Sequence, residues 1–302
     1  MLAAGPPTAP IDSGPMSLQT DLRLRDAALD DLPAIAALRE SVGWGVAEWA
    51  LRAVICQPHA RCLVAVDEAG TVAGVGSGIV YGPLGFIGNM IVADTHRRRG
   101  VGSAILEAIT GYLEGAGCTR LELNATSDGR PLYERHGFRS LGRSATARIP
   151  LDADLAPDPA VAVRRASRTD LDGIAAYDRP RFGGDRRVLL ELLVGAPGTT
   201  TLLAEVDGGP AGYACVRIDE ARIGPMLAEE PPIAAALLRD AFALVPDTPD
   251  FRLNLPPNNR PGAEWLQGLG VDVEPWDGRM GRGPLIPRRD DTVYGMAIGA
   301  LG

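Results

Sequence analysis

No apolar run in the 302-residue chain approaches the roughly 18 residues that a membrane-spanning helix needs, which argues against a membrane protein. Basic charge is also short. Thirty Lys and Arg against 38 Asp and Glu leave a formal net charge of −8 and a pI near 5.0. A general nucleic-acid binder needs a basic face to displace counterions from phosphates, so that class is disfavoured. The four cysteines (Cys56, Cys62, Cys118, Cys215) lack paired metal spacing, and a chain of this size does not need disulfide staples. They read as reduced thiols of a cytoplasmic protein, mostly filling core. His59 and His96 have no metal-like partners, and His136 reads as a surface residue, so no metal is expected. Residues 1–18 lack the basic start and apolar stretch of a signal peptide, and their Pro, Gly and small residues read as a disordered tail.

What the chain does have is room for two domains, since single cores usually stop growing near ~250 residues. Its 46% hydrophobic and 23% charged residues are those of a soluble globular protein. Internal similarity sharpens the domain count. "RDAALDDLPAIAAL" (25–38) aligns with "RRASRTDLDGIAAY" (164–177), matching Asp31 with Asp170, Leu32 with Leu171 and Ile35 with Ile174. "LVAVDEAGTVAGVG" then parallels "LLAEVDGGPAGYA", "IGNMIVAD" (87–94) parallels "IGPMLAEE" (223–230), and "LYERHGF" (132–138) parallels "WLQGLGV" (265–271). The order and near-constant spacing indicate a tandem duplication. The first copy is placed at 19–150 and the second at 161–302, joined by the Pro- and Asp-rich linker 151–160.

In the first copy, "LRLRDA" reads as a strand and "LDDLPAIAALRESV" as a helix with Pro33 in its first turn. "CLVAVDEAGTVAGVGSGIVYG" reads as a hairpin turning at 68–70, and "GFIGNMIVAD" as a buried strand. "GVGSAILEAITGYLEGAG" reads as a glycine-stopped helix, "RLELNAT" as a strand, "RPLYERHGF" as a short helix and "SATARIPL" as the last strand. The architecture expected is α/β, a mixed twisted sheet with helices on both faces.

One corner carries chemistry. In "HRRRGVGSAILEAI" (96–109), three arginines precede a Gly-x-Gly that follows a strand and opens a helix. Such a turn presents unpaired N–H groups and the positive end of a helix dipole. Gly100 and Gly102 let a ligand approach the backbone, and Arg97, Arg98 and Arg99 offer forked cationic donors suited to phosphate. A pyrophosphate is the expected ligand. The dinucleotide fingerprint, with its third glycine and later acidic residue, does not fit.

"MIVADTHRRRGVGSAIL" resembles motif A, and "NATSDGRPLYERHGF" motif B, of the GCN5-related N-acetyltransferase (GNAT) superfamily. The resemblance spans about residues 20–150 and implies two tandem GNAT-like domains, each with a mixed, mostly antiparallel sheet. It also implies acetyl-CoA as cosubstrate and an acetyl transfer to an amine. By this resemblance, Met90, Ile91 and Val92 border a gap where a bulge splays two strands, the main chain of Ile91 and Val92 pairing with the pantetheine. Gly100, Val101, Gly102 and Ser103 offer amides to the pyrophosphate, with Arg97, Arg98 and Arg99 around it. Asp94 stands where proline is common.

Acetyl transfer from a thioester needs a neutral amine, an oxyanion partner and a proton for the departing thiolate. Tyr133 matches the superfamily tyrosine that donates that proton; the structural alternative packs its ring in the core with the hydroxyl bonded to backbone. Asn89 stands where many relatives carry a carboxylate base, and it can bind substrate or water but cannot accept a proton. A water chain to solvent, or a carboxylate such as Glu122 or Asp128, is the candidate base. Asn124, at the end of the next strand, contacts substrate or caps a turn.

The second copy reads "AEEPPIAAALLRDA" at the corresponding corner. Glu229 and Glu230 bring negative charge, Pro231 and Pro232 remove amide donors, and Leu266 replaces Tyr133. This copy keeps the fold without the cofactor corner, and its "IAAALLRDAFALV" and "TVYGMAIGAL" read as ordinary core. The expected activity is N-acetylation of a small-molecule amine by a monomer or homodimer, with no nucleic-acid or membrane partner. The alternatives are an acyl-CoA-sensing module and a protein N-acetyltransferase.

Overall fold

The computed structural model describes residues 22–45, 48–245 and 249–302. The expected tail at 1–18 lies outside them. The chain divides into two compact units, residues 1–122 and 123–302.

The first unit contains β1 (Arg23–Asp26), α1 (Leu32–Ser41), α2 (Glu48–Cys56), β2 (Ala60–Val66), β3 (Val72–Tyr81), β4 (Leu84–Val92), α3 (Val101–Gly115) and the start of β5 (Arg120–Asn124). Strands β1 to β4 form an antiparallel meander, and β5 follows β4 in sheet order. Helix α1 carries Pro33 in its first turn, where the lost N–H has no intrahelical partner anyway, and it buries Ile35, Leu38 and Arg39. Helix α2 has no counterpart among the elements expected from sequence; it buries Ala50, Leu51, Ala53 and Val54.

Helix α3 can lie close to the sheet because alternate residues of β3 on its side are glycines. A Cβ at Gly76 would sit 2.3 Å from Ile105 Cγ2, and one at Gly78 2.8 Å from Ile109 Cγ2. With a side-chain period of two, Ser77 faces the other side of the strand, where its hydroxyl belongs to a network reached by α1. Helices therefore cover both faces of this sheet.

The second unit contains α4 (Arg130–Arg135), β6 (Arg139–Pro150), β7 (Ala162–Arg165), α5 (Leu171–Phe182), α6 (Arg187–Leu193), β8 (Thr199–Val206), β9 (Gly209–Arg217), β10 (Arg222–Ala228), α7 (Pro231–Phe242), β11 (Asp250–Leu255), α8 (Arg260–Gly268), β12 (Val273–Arg282) and β13 (Val293–Gly295). Its strand order is β12-β6-β11-β10-β9-β8-β7, with β13 on β10. The core gathers Leu237, Leu238, Leu253 and Phe251, the last stacked on Phe242 at 5.5 Å.

The units divide ahead of the linker read from sequence, and the reason is a strand placement. β6 closes the first copy in sequence, yet it lies between β11 and β12, pairing Phe251 with Ile149 on one edge and Val273 with Ala147 on the other. The second copy's sheet is thus extended by the first copy's last strand.

Candidate functional site

The first unit holds the Arg97–Ser103 corner. On β4, the pairs Ser77–Gly88 and Val75–Ile91 leave two residues, Asn89 and Met90, opposite Gly76 alone. This is a β-bulge, and Asn89 within it takes a left-handed backbone with φ 54°. Asparagine tolerates that region better than other side chains.

The Asn89 side chain is buried and engaged at both ends. Arg39 Nη1 donates to its Oδ1 at 2.5 Å, and its Nδ2 donates to Ser77 Oγ at 2.9 Å. The Ser77 hydroxyl in turn donates to the Gly88 carbonyl at 3.1 Å. The bulge is therefore locked by a polar network, and Asn89's amide is committed inside the protein. Arg39 was not anticipated as a site residue. Its position four residues after Ile35 and one after Leu38, on the buried face of α1, is the signal that could have found it.

Beyond β4 the chain turns through the arginine run. Arg98 has φ 65° and Gly100 φ 82°, so two left-handed residues lie two positions apart just before α3. Gly100 is the exposed N-cap of that helix, and its carbonyl accepts from Ala104 N at 3.0 Å. The amides of the first turn have no intrahelical acceptor by geometry. The three arginines differ. Arg97 Nε donates to the Val92 carbonyl at 3.2 Å and its Nη2 lies 3.0 Å from Asp94, so it ties the loop together. Arg98 and Arg99 are exposed and carry no ion pair among the described residues. Of the groups assigned to pantetheine, Ile91 is buried and Val92 half-buried, and the Val92 carbonyl retains a second lone pair beside Arg97.

Glu122 is also in this unit, 1% exposed and 3.0 Å from Arg120 Nε, so this candidate base sits in a buried ion pair. Asp128, in the second unit, is exposed.

Tyr133 and Asn124 lie in the second unit. The Tyr133 ring is buried on α4, in edge contact with Phe138 at 6.2 Å, and burial pushes its phenol well above the usual range. No hydrogen bond to its hydroxyl is found among the described residues, so the backbone-bonded structural alternative is not what is observed. Asn124 Nδ2 donates to the Gly299 carbonyl at 2.8 Å, while its Oδ1 is buried without a partner. His136 caps the end of α4 and is half-buried. Cys62, Cys118 and Cys215 are buried free thiols, and burial raises them to about 12, about 11 and about 11. Among the described residues no group of three or more His, Cys, Asp or Glu is placed to hold a metal, and no helix is long and apolar enough to cross a membrane.

The second copy has a bulge at the corresponding place, where the pairs Ile223–Val216 and Met226–Ala214 leave two residues on β10 opposite one on β9. Strand β10 pairs in parallel with β11 only at Arg222–Arg252 and Ile223–Leu253. Past the bulge, β13 takes the place beside β10, opposite Met226 and Leu227, and Met296 N donates to the Asn254 carbonyl of β11 at 2.8 Å. The segment "TVYGMAIGAL" is thus more than core filler. Its backbone fills the splay between two strands, and a Cβ on Gly224 would sit 2.0 Å from the Met296 carbonyl oxygen. At the corner itself, Glu229 is clamped by Arg181 and by Arg289 at 2.7 Å. In the first unit, β4 has only β3 and β5 as neighbours among the described strands.

Comparison with known proteins agrees with this duplicated architecture. Residues 28–138 match the acetyltransferase (GNAT) family and residues 174–295 the acetyltransferase (GNAT) domain. The chain belongs to the GNAT family of acetyltransferases and is a tandem GNAT protein. It is 31% identical over 170 residues to the uncharacterized N-acetyltransferase YitH of Bacillus subtilis, a match spanning 53% of this chain and 56% of that protein, a little over half its length. A structure from Pyrococcus horikoshii, named as an acetyltransferase, superposes with a TM-score of 0.77 at 23% identity, covering 93% of this chain and 96% of that one. A tandem GNAT protein from the clavulanic acid biosynthesis pathway superposes with a TM-score of 0.63 at 16% identity, over 87% and 99% of the two chains. These structural likenesses establish the fold.

Proposed function

We propose that the first copy, residues 19–150, binds acetyl-CoA and transfers its acetyl group to the primary amine of a small molecule, and that the second copy, residues 161–302, binds no cofactor. The observation that carries this reading is the contrast at the bulge. The first copy joins it to an exposed Gly100 corner with two arginines unpaired among the described residues, and the second fills it with β13. Amides of Gly100, Val101, Gly102 and Ser103 hold the pyrophosphate, with Arg98 and Arg99 supplying charge and Arg97 ordering the loop. Met90, Ile91 and Val92 border the pantetheine.

The amine nitrogen attacks the thioester carbonyl, the N–C bond forms, and the C–S bond breaks. Tyr133 gives its proton to the departing thiolate, a transfer that its burial does not assist, and its phenolate is reprotonated from water. Asn89 acts by fixing the bulge, Asn124 by contacting the acceptor through Oδ1, and water carries away the amine's proton. The free thiols fit a cytoplasmic setting.

Thiol release from acetyl-CoA with a panel of small amines and a peptide tests the reading. The chain contains no lysine, so no ε-amine of its own competes as acceptor. Release with small amines, lost in Tyr133→Phe, supports it; release with the peptide alone points to a protein acceptor. The absence of a carboxylate at position 89 favours a second reading, an acyl-CoA sensor. Stabilisation by acetyl-CoA without release from any amine would establish that reading instead.

A further inference from the structure

Arg39 is only 4% exposed, and burial alone pushes its pKa below the usual guanidinium value. Its Nε donates to the Gly45 carbonyl at 3.0 Å, its Nη1 to Asn89 Oδ1 at 2.5 Å and its Nη2 to the Trp44 carbonyl at 3.3 Å. All three acceptors are uncharged. Of the other buried arginines, Arg120, Arg186 and Arg217 face Glu122, Asp178 and Glu220 and Arg279 lies against Met296 Sδ, whereas no carboxylate lies at ion-pair distance from Arg39 among the described residues. A desolvated cation without a counter-ion is costly. The donor count is also incomplete: of five guanidinium N–H groups three are used, leaving one on each terminal nitrogen, the pair that a carboxylate accepts as a fork.

The location gives this vacancy of charge a meaning. Asn89 is the bulge residue of β4, two positions before Ile91. On the other side, Arg39 holds a loop in which Gly43 and Gly45 have φ of 73° and 58° and Trp44 is 39% exposed, its ring centroid 5.9 Å from the guanidinium carbon. The cation thus lies between the strand assigned to the thioester arm and an exposed loop.

We propose that Arg39 binds a carboxylate of the acceptor, so that the amine acetylated is carried on an amino-acid-type molecule. The proposal rests on the acetyltransferase reading for the transfer itself; the charge argument does not depend on it. Arg39 is a specificity-determining residue that also ties the loop to the bulge.

The test is a panel of paired amines, each as free acid and as carboxamide: glycine, β-alanine, 4-aminobutyrate and lysine against their amides. Thiol release is measured for wild type, Arg39→Met and Arg39→Lys. For at least one pair the wild-type kcat/KM should favour the acid by roughly ten- to hundredfold, the span of a forked charge-assisted pair. The ratio should fall to about one in Arg39→Met through KM and recover in part in Arg39→Lys. A wild-type ratio near one throughout the panel, or a ratio unchanged in Arg39→Met while both rates fall, would overturn the proposal and leave Arg39 as a tie alone. Should Arg39→Met not fold, Arg39→Lys decides, since one ammonium in place of a fork must lower the ratio. Fluorescence of Trp44, identified by its loss in Trp44→Phe, separates the two readings. If neither this panel nor the small amines and peptide of the test above release thiol, the acetyltransferase reading fails. An Arg39-dependent response to the acids alone would then sustain the carboxylate site, and no such response would overturn it.

Discussion

The two copies begin alike and part at the bulge. Each opens with the same clasp: Arg25 forks onto Asp31, which also accepts from Ala28 N, and Arg164 reaches Asp170, which accepts from Ser167 N. Each then runs a hairpin, a bulged strand and a helix. After the bulge, the first copy presents Gly100 with Arg98 and Arg99, which carry no ion pair among the described residues, while the second presents a glutamate held by two arginines and a helix led by prolines. The second copy also carries its own strand in the splay, in backbone register with Met226 and Leu227. Those residues correspond to Met90 and Ile91, so β13 overlaps at Leu227 with the Ile91–Val92 main chain assigned to pantetheine in the first copy. A duplicated fold can thus keep its cleft and spend it on stability.

The largest effect expected is on cofactor affinity. Arg98→Glu with Arg99→Glu should weaken acetyl-CoA binding at least roughly a hundredfold by calorimetry, since attraction to the diphosphate becomes repulsion. The melting temperature should hardly move, because exposed charges contribute little to stability. Neutralising Glu229 and Glu230 in the second copy should create no compensating site, because β13 remains. Next, Tyr133→Phe should lower kcat roughly a hundredfold while acetyl-CoA still raises the melting temperature, which separates proton donation from binding.

Stability changes are smaller and distinguish the two clefts. Gly224→Ala drives a Cβ against the Met296 carbonyl and should cost about 2–4 kcal/mol in denaturant unfolding without producing a second cofactor site. Gly76→Ala crowds Ile105 and Met90 Sδ and should cost about 1–3 kcal/mol, loosening the first copy instead.

The smallest effect is on the shared clasp. The Arg25 hydrogen bond holds the Asp31 carboxyl below its usual range, so its contribution is complete above the unfolded pKa of about 4 and disappears as pH falls through the lower folded value. Asp31→Asn should therefore lose a few tenths of a kcal/mol at neutral pH, and the difference from wild type should shrink below pH 4 or so.

Local pattern made much of this legible. The repeat, the hairpin turn at 67–71, the glycine-led helix at 101–115 and Pro33 in the first turn of α1 all follow from neighbours in sequence. What escaped depends on distant pairing. Nothing in "SATARIPL" says that the strand will lie between β11 and β12, and three residues of β13 have no periodicity from which to tell a cleft-filling strand from core. Helix α2 was legible too, since Ala50, Leu51, Ala53 and Val54 recur at helical spacing, but it was not among the elements expected. At the site, the corner was visible as composition, but Asn89's engagement with Arg39 and Ser77 joins residues up to 50 positions apart.

Hydrogen–deuterium exchange of the whole chain, with and without acetyl-CoA, compares the two copies in one measurement. Ligand-induced slowing is predicted for the amides of 91–92 and 100–103, with the amides of 226–234 unchanged. Slowing at 226–234, or none at 100–103 under saturating acetyl-CoA, would contradict the account.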